Sequence, residues 1–449
     1  MKTPLLLCSA LCLAACATAS PPVAELAPVP ANYAYAERAG APAPDPQWWR
    51  LFNDSALDTL VEQALGANQN IAAGLARVKQ ARASLRIATA PLLPQASASA
   101  STSSDSEGGI DNFSSSARAT ASYQLDLFGE NRAGRKAAKE RFKGQIYTQR
   151  ALELTVEADV ANAYFSLNSL RTRLAVAKSN LGISERIYDI VSVRYKAGDV
   201  SGFDMASQEA SLANARARIP ELEQQVASAE MALAVLIGEI PQGYEGPEAD
   251  ILAITPPSID PGLPGDLLLR RPDLLAAETS LHAADANVAA AIASFFPSIE
   301  LSGGVAATGL TGGTNVVTSM AASVAETIFS GGRLEGNLQS AKANVEEQIA
   351  NYRQATLDAL VDVDKSLIAL KSAESRETQL ALAKDAAERS LSLAEVRYKS
   401  GADDLTSLLN AQSTYFTASD SLVQGRLDRL TAATSLFTAI GGGWGGADS

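Results

Sequence analysis

A chain that repeats itself at long range is restricted to folds built from two versions of one architecture. Here "VRYKAGDVSG", beginning at Val193, returns as "VRYKSGADDL", beginning at Val396. The offset from Arg194 to Arg397 is 397 − 194 = 203 residues, and it also carries Pro94 in "IATAPLLPQ" onto Pro297 in "IASFFPSIE", and Asn70-Ile71 onto Asp273-Leu274. An offset of 201 aligns Phe128 in "LDLFGENR" with Phe329 in "ETIFSGGR". A unit of about 200 residues is several times longer than a solenoid repeat, so an entire architectural half is duplicated.

Each copy begins with a Pro-rich, irregular approach and then turns helical. Leu57, Leu60, Val61, Ala64 and Leu65 keep i, i+3, i+4, i+7 spacing, and "RRPDLLAAETSLHAADANVAAAIA" does the same with Pro272 in the first turn, where no amide donor is needed. Pro94 and Pro297 are expected to end these helices. The period then falls to 2. Ala117, Ala119, Ala121, Tyr123, Leu125 and Leu127 share one strand face, and Ser116, Arg118, Thr120, Ser122, Gln124 and Asp126 share the other. "PQASASAST" alternates similarly, Ile299, Leu301 and Val305 fall together, and the segment around Met320 alternates less cleanly. Four strands of about 10 to 13 residues result, long enough for a tilted transmembrane strand. "DSEGGID" and "GLTGGTN" are their polar, Gly-rich tips.

Behind each strand hairpin, proline disappears from Asn131 to Lys196 and from Gly332 to Lys399, and the apolar residues follow 3,4 spacing. Roughly 65 residues rising 1.5 Å each make rods on the order of 100 Å. Gly198 and Gly401 suit helix C-termini, and return helices are expected from Phe203 to about Ile237 and from Leu405 to about Ile440. The echoed stretch is therefore the far tip of a duplicated helical hairpin. The tips are not identical, since Gly198 to Gln208 spans 208 − 198 = 10 residues and Gly401 to Gln412 spans 412 − 401 = 11. The organisation expected is a signal peptide at 1–15, a Pro-rich segment at 16–50, a first repeat at 51–238 with its strand hairpin at about 94–128, a crossover at 239–268, a second repeat at 269–440 with its strand hairpin at about 297–329, and a tail at 441–449.

"MKTPLLLCSALCLAAC" has the charged, apolar and small-residue zones of a secretory signal and holds all three cysteines, Cys8, Cys12 and Cys16. "LAAC" resembles a bacterial lipobox, which makes Cys16 the expected lipidation site and leaves the mature chain without a disulfide. A net charge of −13 with no basic patch argues against nucleic acid as a partner. One histidine, His282, in an Ala-rich helix, no G-x-S-x-G elbow and no Gly-rich loop with a lysine leave no basis for catalysis, a metal or a cofactor. Four strands left open in lipid would expose unpaired edges, so several protomers must close one barrel. A secreted chain with such strands belongs in a Gram-negative outer membrane.

"WWRLFNDSALDTLVEQALGANQNIAAG", "SYQLDLFGENR", "GLPGDLLLRRPDLLAAE", "FFPSIELSGG", "IFSGGRLEGN" and "VRYKSGADDLTSLLNAQ" resemble the TolC-like outer-membrane efflux factors, and specifically their NodT-type lipoprotein branch. The resemblance covers nearly the whole chain after Cys16. It implies an α-dominated α+β membrane protein: a homotrimer with a 12-stranded outer-membrane β-barrel continuous with a periplasmic barrel of 12 helices. An equatorial belt would come from the Pro-rich segments and the tail. The implied role is the exit duct of a tripartite efflux pump, passively conducting small molecules from an inner-membrane resistance-nodulation-division pump and its periplasmic membrane-fusion adaptor. A type I protein-secretion duct shares the fold, and a periplasmic coiled-coil scaffold is the third alternative.

By the same resemblance, Arg194, Tyr195, Gly198, Arg397, Tyr398 and Gly401 form adaptor-docking tips. The family's constriction acids match Ser407 and Asn410, neither of which is acidic, while Asp403 and Asp404 lie one turn earlier and Asp204 sits near the first tip. The residues also allow a plainer reading, in which the acids cap helices, Arg and Tyr cover neighbouring helices, and Gly ends the rods.

Overall fold

The computed structural model describes residues 29–35, 46–107, 110–310 and 313–442. The signal segment, Cys16, the last seven residues and the Gly-Gly centre of the first strand-hairpin tip lie outside the described residues, as do Thr311 and Gly312 in the second tip.

The long-range offset read from the sequence recurs in the element starts. In the first copy, α1 (Ser55–Ala67) and α2 (Gln69–Thr89) precede β1 (Gln95–Glu107), β2 (Ile110–Leu125), α3 (Glu130–Ala197) and α4 (Gly202–Leu236). In the second, α5 (Leu267–Arg270) and α6 (Pro272–Ala293) precede β3 (Ser298–Leu310), β4 (Gly313–Ala325), α7 (Arg333–Lys399) and α8 (Leu405–Ala439). From β1 to β3 the shift is 298 − 95 = 203, and from α4 to α8 it is 405 − 202 = 203. The chain forms two units, one built from 80–144 and 276–356, the other from 30–79, 145–275 and 357–442; α2, α3, α6 and α7 contribute to both. None of the described helices is long and apolar enough to cross a membrane.

The first unit contains one antiparallel sheet in the order β1-β2-β3-β4, so the two copies are joined through β2 and β3. Its register aligns the small residues read from the sequence. Ala98 faces Ala119, which faces Val305, which faces Thr318; two positions along, Ala96, Ala121, Gly303 and Met320 form the next row. This face is apolar and uncovered within the chain, with Met320 92%, Val324 68% and Val316 66% exposed. The opposite face carries hydroxyl pairs across β1 and β2: Ser97 with Thr120 at 2.9 Å, Ser101 with Ser116 at 2.9 Å and Ser103 with Ser114 at 2.8 Å. Thr318 on the apolar face, and Val317 and Ala321 on the polar one, explain why alternation around Met320 is poor. The outer edges of β1 and β4 have no partner strand among the described residues.

Leu127, expected on the strand face, lies beyond the end of β2. The strand stops because Asp126 turns to the next helix: its carboxylate accepts from the amides of Asn131 at 3.1 Å and Arg132 at 2.9 Å, supplying partners to free donors at the start of α3. Phe128 beside it stacks on Phe296 at 4.7 Å.

The second unit has an aromatic core. Trp48, Phe52, Phe165 and Phe437 are all buried, with Trp48 stacked on Phe437 at 5.1 Å and Phe52 against Phe165 at 5.1 Å. Asp54 caps α1 through the amides of Ala56 and Leu57, and its other oxygen accepts from the Tyr164 hydroxyl at 2.8 Å. The single helix expected between Leu57 and Pro94 is in fact two. Asn68 leaves the helical conformation, its side-chain oxygen accepts from the amides of Asn70 and Ile71, and its side-chain nitrogen donates to the Leu236 carbonyl at 2.7 Å. The second copy breaks at Arg271, 271 − 68 = 203 residues later. Pro272 opens α6 as expected, and the return helix expected from Phe203 to about Ile237 is α4, which runs through Pro220. His282 is on the surface of α6, 3.4 Å from Glu278 one turn away.

Candidate functional site

The candidate site is the pair of helical-hairpin tips in the second unit, and it begins with two glycines. Gly198 has φ +80° and Gly401 φ +75°, in the left-handed region where an L side chain costs about 1–2 kcal/mol. That conformation closes matching turns. The Asp199 amide donates to the Arg194 carbonyl and the Gly198 amide to that of Tyr195; Ala402 and Gly401 repeat the pattern on Arg397 and Tyr398, all at 2.9–3.1 Å. These bonds satisfy the last carbonyls of α3 and α7.

The return helices are started by acids. Ser201 and Asp204 form a capping box on α4, with the Ser201 amide donating to Asp204 at 3.0 Å and the Asp204 amide to the Ser201 hydroxyl at 3.2 Å. Asp404 accepts from the Ser407 amide at 2.9 Å and caps α8. That amide, as the first cause, holds the Asp404 carboxyl below the usual range. Asp403 takes a different partner, the Arg397 guanidinium, at 2.6 and 3.0 Å. The Arg397 hydrogen bond lowers the Asp403 pKa, and Asp403 in turn raises that of the arginine. Ser407 and Asn410 lie on the exposed side of α8, whereas Leu405 and Leu408 are buried.

The echoed residues divide their labour. Tyr398 is 2% exposed, whereas Tyr195 is 48% exposed. Arg194 lies over the Tyr398 ring at 5.0 Å and donates to the Tyr398 carbonyl at 3.3 Å, so the first copy's arginine covers the second copy's tyrosine. Below them, Ile183, Ile187 and Val191 of α3 pack with Leu391 of α7 and with Leu405, Leu408 and Ala411 of α8. The structure thus brings Arg194 to Tyr398, Arg397 to Asp403 and Asp204 to Ser201. It leaves Tyr195 and Asn410 apart from these pairs.

Sequence reasoning missed the polar links within the first hairpin and between the two hairpins. Gln208 donates to the Ser184 carbonyl at 2.8 Å from α4, and Gln412 reaches the Ser184 hydroxyl and Asn180 at 3.1 Å from α8, so both glutamines converge on one turn of α3. Further along, Arg173 of α3 pairs with Asp420 of α8 at 2.8 Å. The available signal was a glutamine at the apolar spacing of each return helix, in the position of a core residue.

A duplicated helical hairpin whose tips are pinned by glycines, attached to strands with one lipid-compatible face, fits the comparisons with known proteins. A family profile described as "Outer membrane efflux protein" matches residues 60–239 and 263–442, one segment for each copy. The chain is 34% identical to the pyoverdine export outer membrane protein OpmQ of Pseudomonas aeruginosa, over 99% of this chain and 97% of OpmQ. It is 30% identical to the probable efflux pump outer membrane protein TtgC of Pseudomonas putida, over 95% of this chain and 91% of TtgC. Its fold superposes on the solved outer-membrane channel OprN with a TM-score of 0.84, at 26% identity and covering 92% of this chain and 97% of that one. The chain belongs to the outer membrane efflux protein family, as an outer-membrane efflux channel with a periplasmic helical portion.

Proposed function

We propose that three copies of this chain close one twelve-stranded barrel and serve as the passive exit duct of a tripartite pump. Small molecules would arrive from an inner-membrane resistance-nodulation-division pump through a periplasmic adaptor docked at the hairpin tips. The observation that carries this reading is the sheet: apolar on one face, hydroxyl-lined on the other, and without a partner strand at either edge among the described residues. An unpaired edge in hydrocarbon costs several kcal/mol per group, and closure by further copies removes it. The names of OpmQ, a pyoverdine export protein, and TtgC, a probable efflux pump protein, support an export role. Native mass measurement in mild detergent is expected to give three times the chain mass; a stable monomer would overturn the reading.

Asp403, Asp404, Ser407, Asn410 and Asp204 are the proposed constriction, beside the docking tips formed by Arg194, Tyr195, Gly198, Arg397, Tyr398 and Gly401. Asp404→Ser keeps a capping oxygen while removing charge, and Asp403→Asn keeps an acceptor for Arg397. The double variant is expected to lose cation preference in planar bilayers while retaining its helix content. Unchanged selectivity would leave both acids with only the local roles of a cap and an ion pair.

A further inference from the structure

Over its described side chains, the polar face of the sheet carries little charge. Among side chains described in β1–β4, the ionised ones are Arg118 and Glu300, and both are exposed. Arg118 sits near the middle of β2, opposite Ser99 on one side and Ala306 on the other. Its face is otherwise hydroxyls and small residues there: Ser116, Thr120, Gly304 and Thr308. No carboxylate among the described residues pairs with it; Glu300 opposes Gln124 near the end of β2, six positions from Ala306, or about 20 Å along the strand. A guanidinium in the middle of a membrane-depth strand is costly against hydrocarbon and tolerable only where water reaches it. Its parity agrees, because Arg118 shares the hydroxyl face and points away from the row containing Met320.

We infer that Arg118 is a solute-contacting residue of the duct, forming a ring of fixed positive charge at mid-depth in the barrel lumen that locally concentrates small organic anions, separately from the acidic constriction at the tips. The inference rests on the closed-barrel reading above. Three copies would bring three guanidinium groups into one water-filled cross-section, permanently charged at any physiological pH. Like charges facing one water-filled lumen add their fields, and arginine suits carboxylates because its forked donors match their geometry. In a chain with a net charge of −13, this cationic position is set apart from the general charge balance. Its small neighbours leave the guanidinium free to meet a passing solute.

The test uses the full chain in lipid vesicles at low salt, with cysteines introduced one at a time and the wild-type chain, whose own cysteines all lie at or before Cys16, as background. Ser116→Cys, and Thr308→Cys as a second position opposite it, are expected to react with membrane-impermeant methanethiosulfonates, whereas Ala117→Cys is expected to be protected by lipid. At Ser116→Cys the anionic sulfonate reagent should react roughly tenfold faster, relative to the cationic ammonium reagent, than after Arg118→Ser is added. That difference should shrink as salt rises. If Ala117→Cys reacts as readily as Ser116→Cys, the closed-barrel reading fails. If Ser116→Cys and Thr308→Cys react, Ala117→Cys does not, and Arg118→Ser leaves the anion-to-cation ratio unchanged, the barrel stands and the role of Arg118 is overturned.

Discussion

Trp48→Ala is expected to lower the melting temperature of the detergent-solubilised protein more than any single change at the tips. Trp48 is fully buried, stacked on Phe437 at 5.1 Å and edge-on to Phe52 at 6.3 Å. Truncating a buried tryptophan costs about 3–5 kcal/mol when the surroundings cannot collapse into the space. The substitution also removes a donor, because the indole Nε1 gives its hydrogen to Glu157 Oε2 at 2.9 Å. An acceptor left unsatisfied in the interior adds about 1–3 kcal/mol. Trp48→Phe divides the loss, since it keeps one aromatic ring while losing the second ring and the donor, and should melt between wild type and Trp48→Ala. The check is thermal unfolding followed by circular dichroism. An alanine variant melting with the wild type would mean that the segment around Trp48 does not hold the helices together.

The acceptor in that bond yields the second large effect. Glu157 is 0% exposed, and its other oxygen accepts from Arg150 at 3.2 Å. Burial, as the largest cause, pushes its pKa up to about 7 against the opposing pull of Arg150 and Trp48. The folded state therefore holds this proton more tightly than the unfolded chain does. The favourable contribution is complete below the ordinary glutamate pKa and is lost as pH rises through about 7. A displacement of this size corresponds to at most about 3 kcal/mol. Glu157→Gln keeps an acceptor for the indole and carries no charge to bury. It is expected to be more stable than wild type at pH 8, nearly equal at pH 4.5, and flatter in between. Parallel stability curves for variant and wild type across that range would show that Glu157 is ionised at no cost.

Much of the architecture was legible because it is written in short-range signals. The change of period after Pro94 and Pro297 and the proline-free stretches ending at Gly198 and Gly401 each act through the backbone preferences of a few neighbouring residues, and the 203-residue offset shows because those local signals occur twice. The break at Asn68 was harder to see. Nothing in the helical spacing from Leu57 onward announces it; Asn68 stops the helix because its side chain caps α2 and also reaches the Leu236 carbonyl, 236 − 68 = 168 residues away. At the tips, Asp404 could be read as a cap from its place ahead of α8, but the ion pair of Asp403 with Arg397, six residues earlier across the turn, depends on how the turn folds back.

The sequence by itself determined that there are two copies, where the strand hairpins and the long helical hairpins lie, and that one strand face is fit for lipid and the other for water. Only the tertiary structure decided which member of each duplicated pair does what. Tyr195 and Tyr398 sit in nearly the same words, yet one is half-exposed and the other buried beneath Arg194, 398 − 194 = 204 residues away in the chain. The same holds for the pairing of β2 with β3, which joins the copies into one sheet. Local dihedral and solvation preferences depend on neighbours along the chain and are repeated whenever the words are. Burial depends on which distant helix packs against the residue, and two copies packed against each other within one chain cannot have identical surroundings.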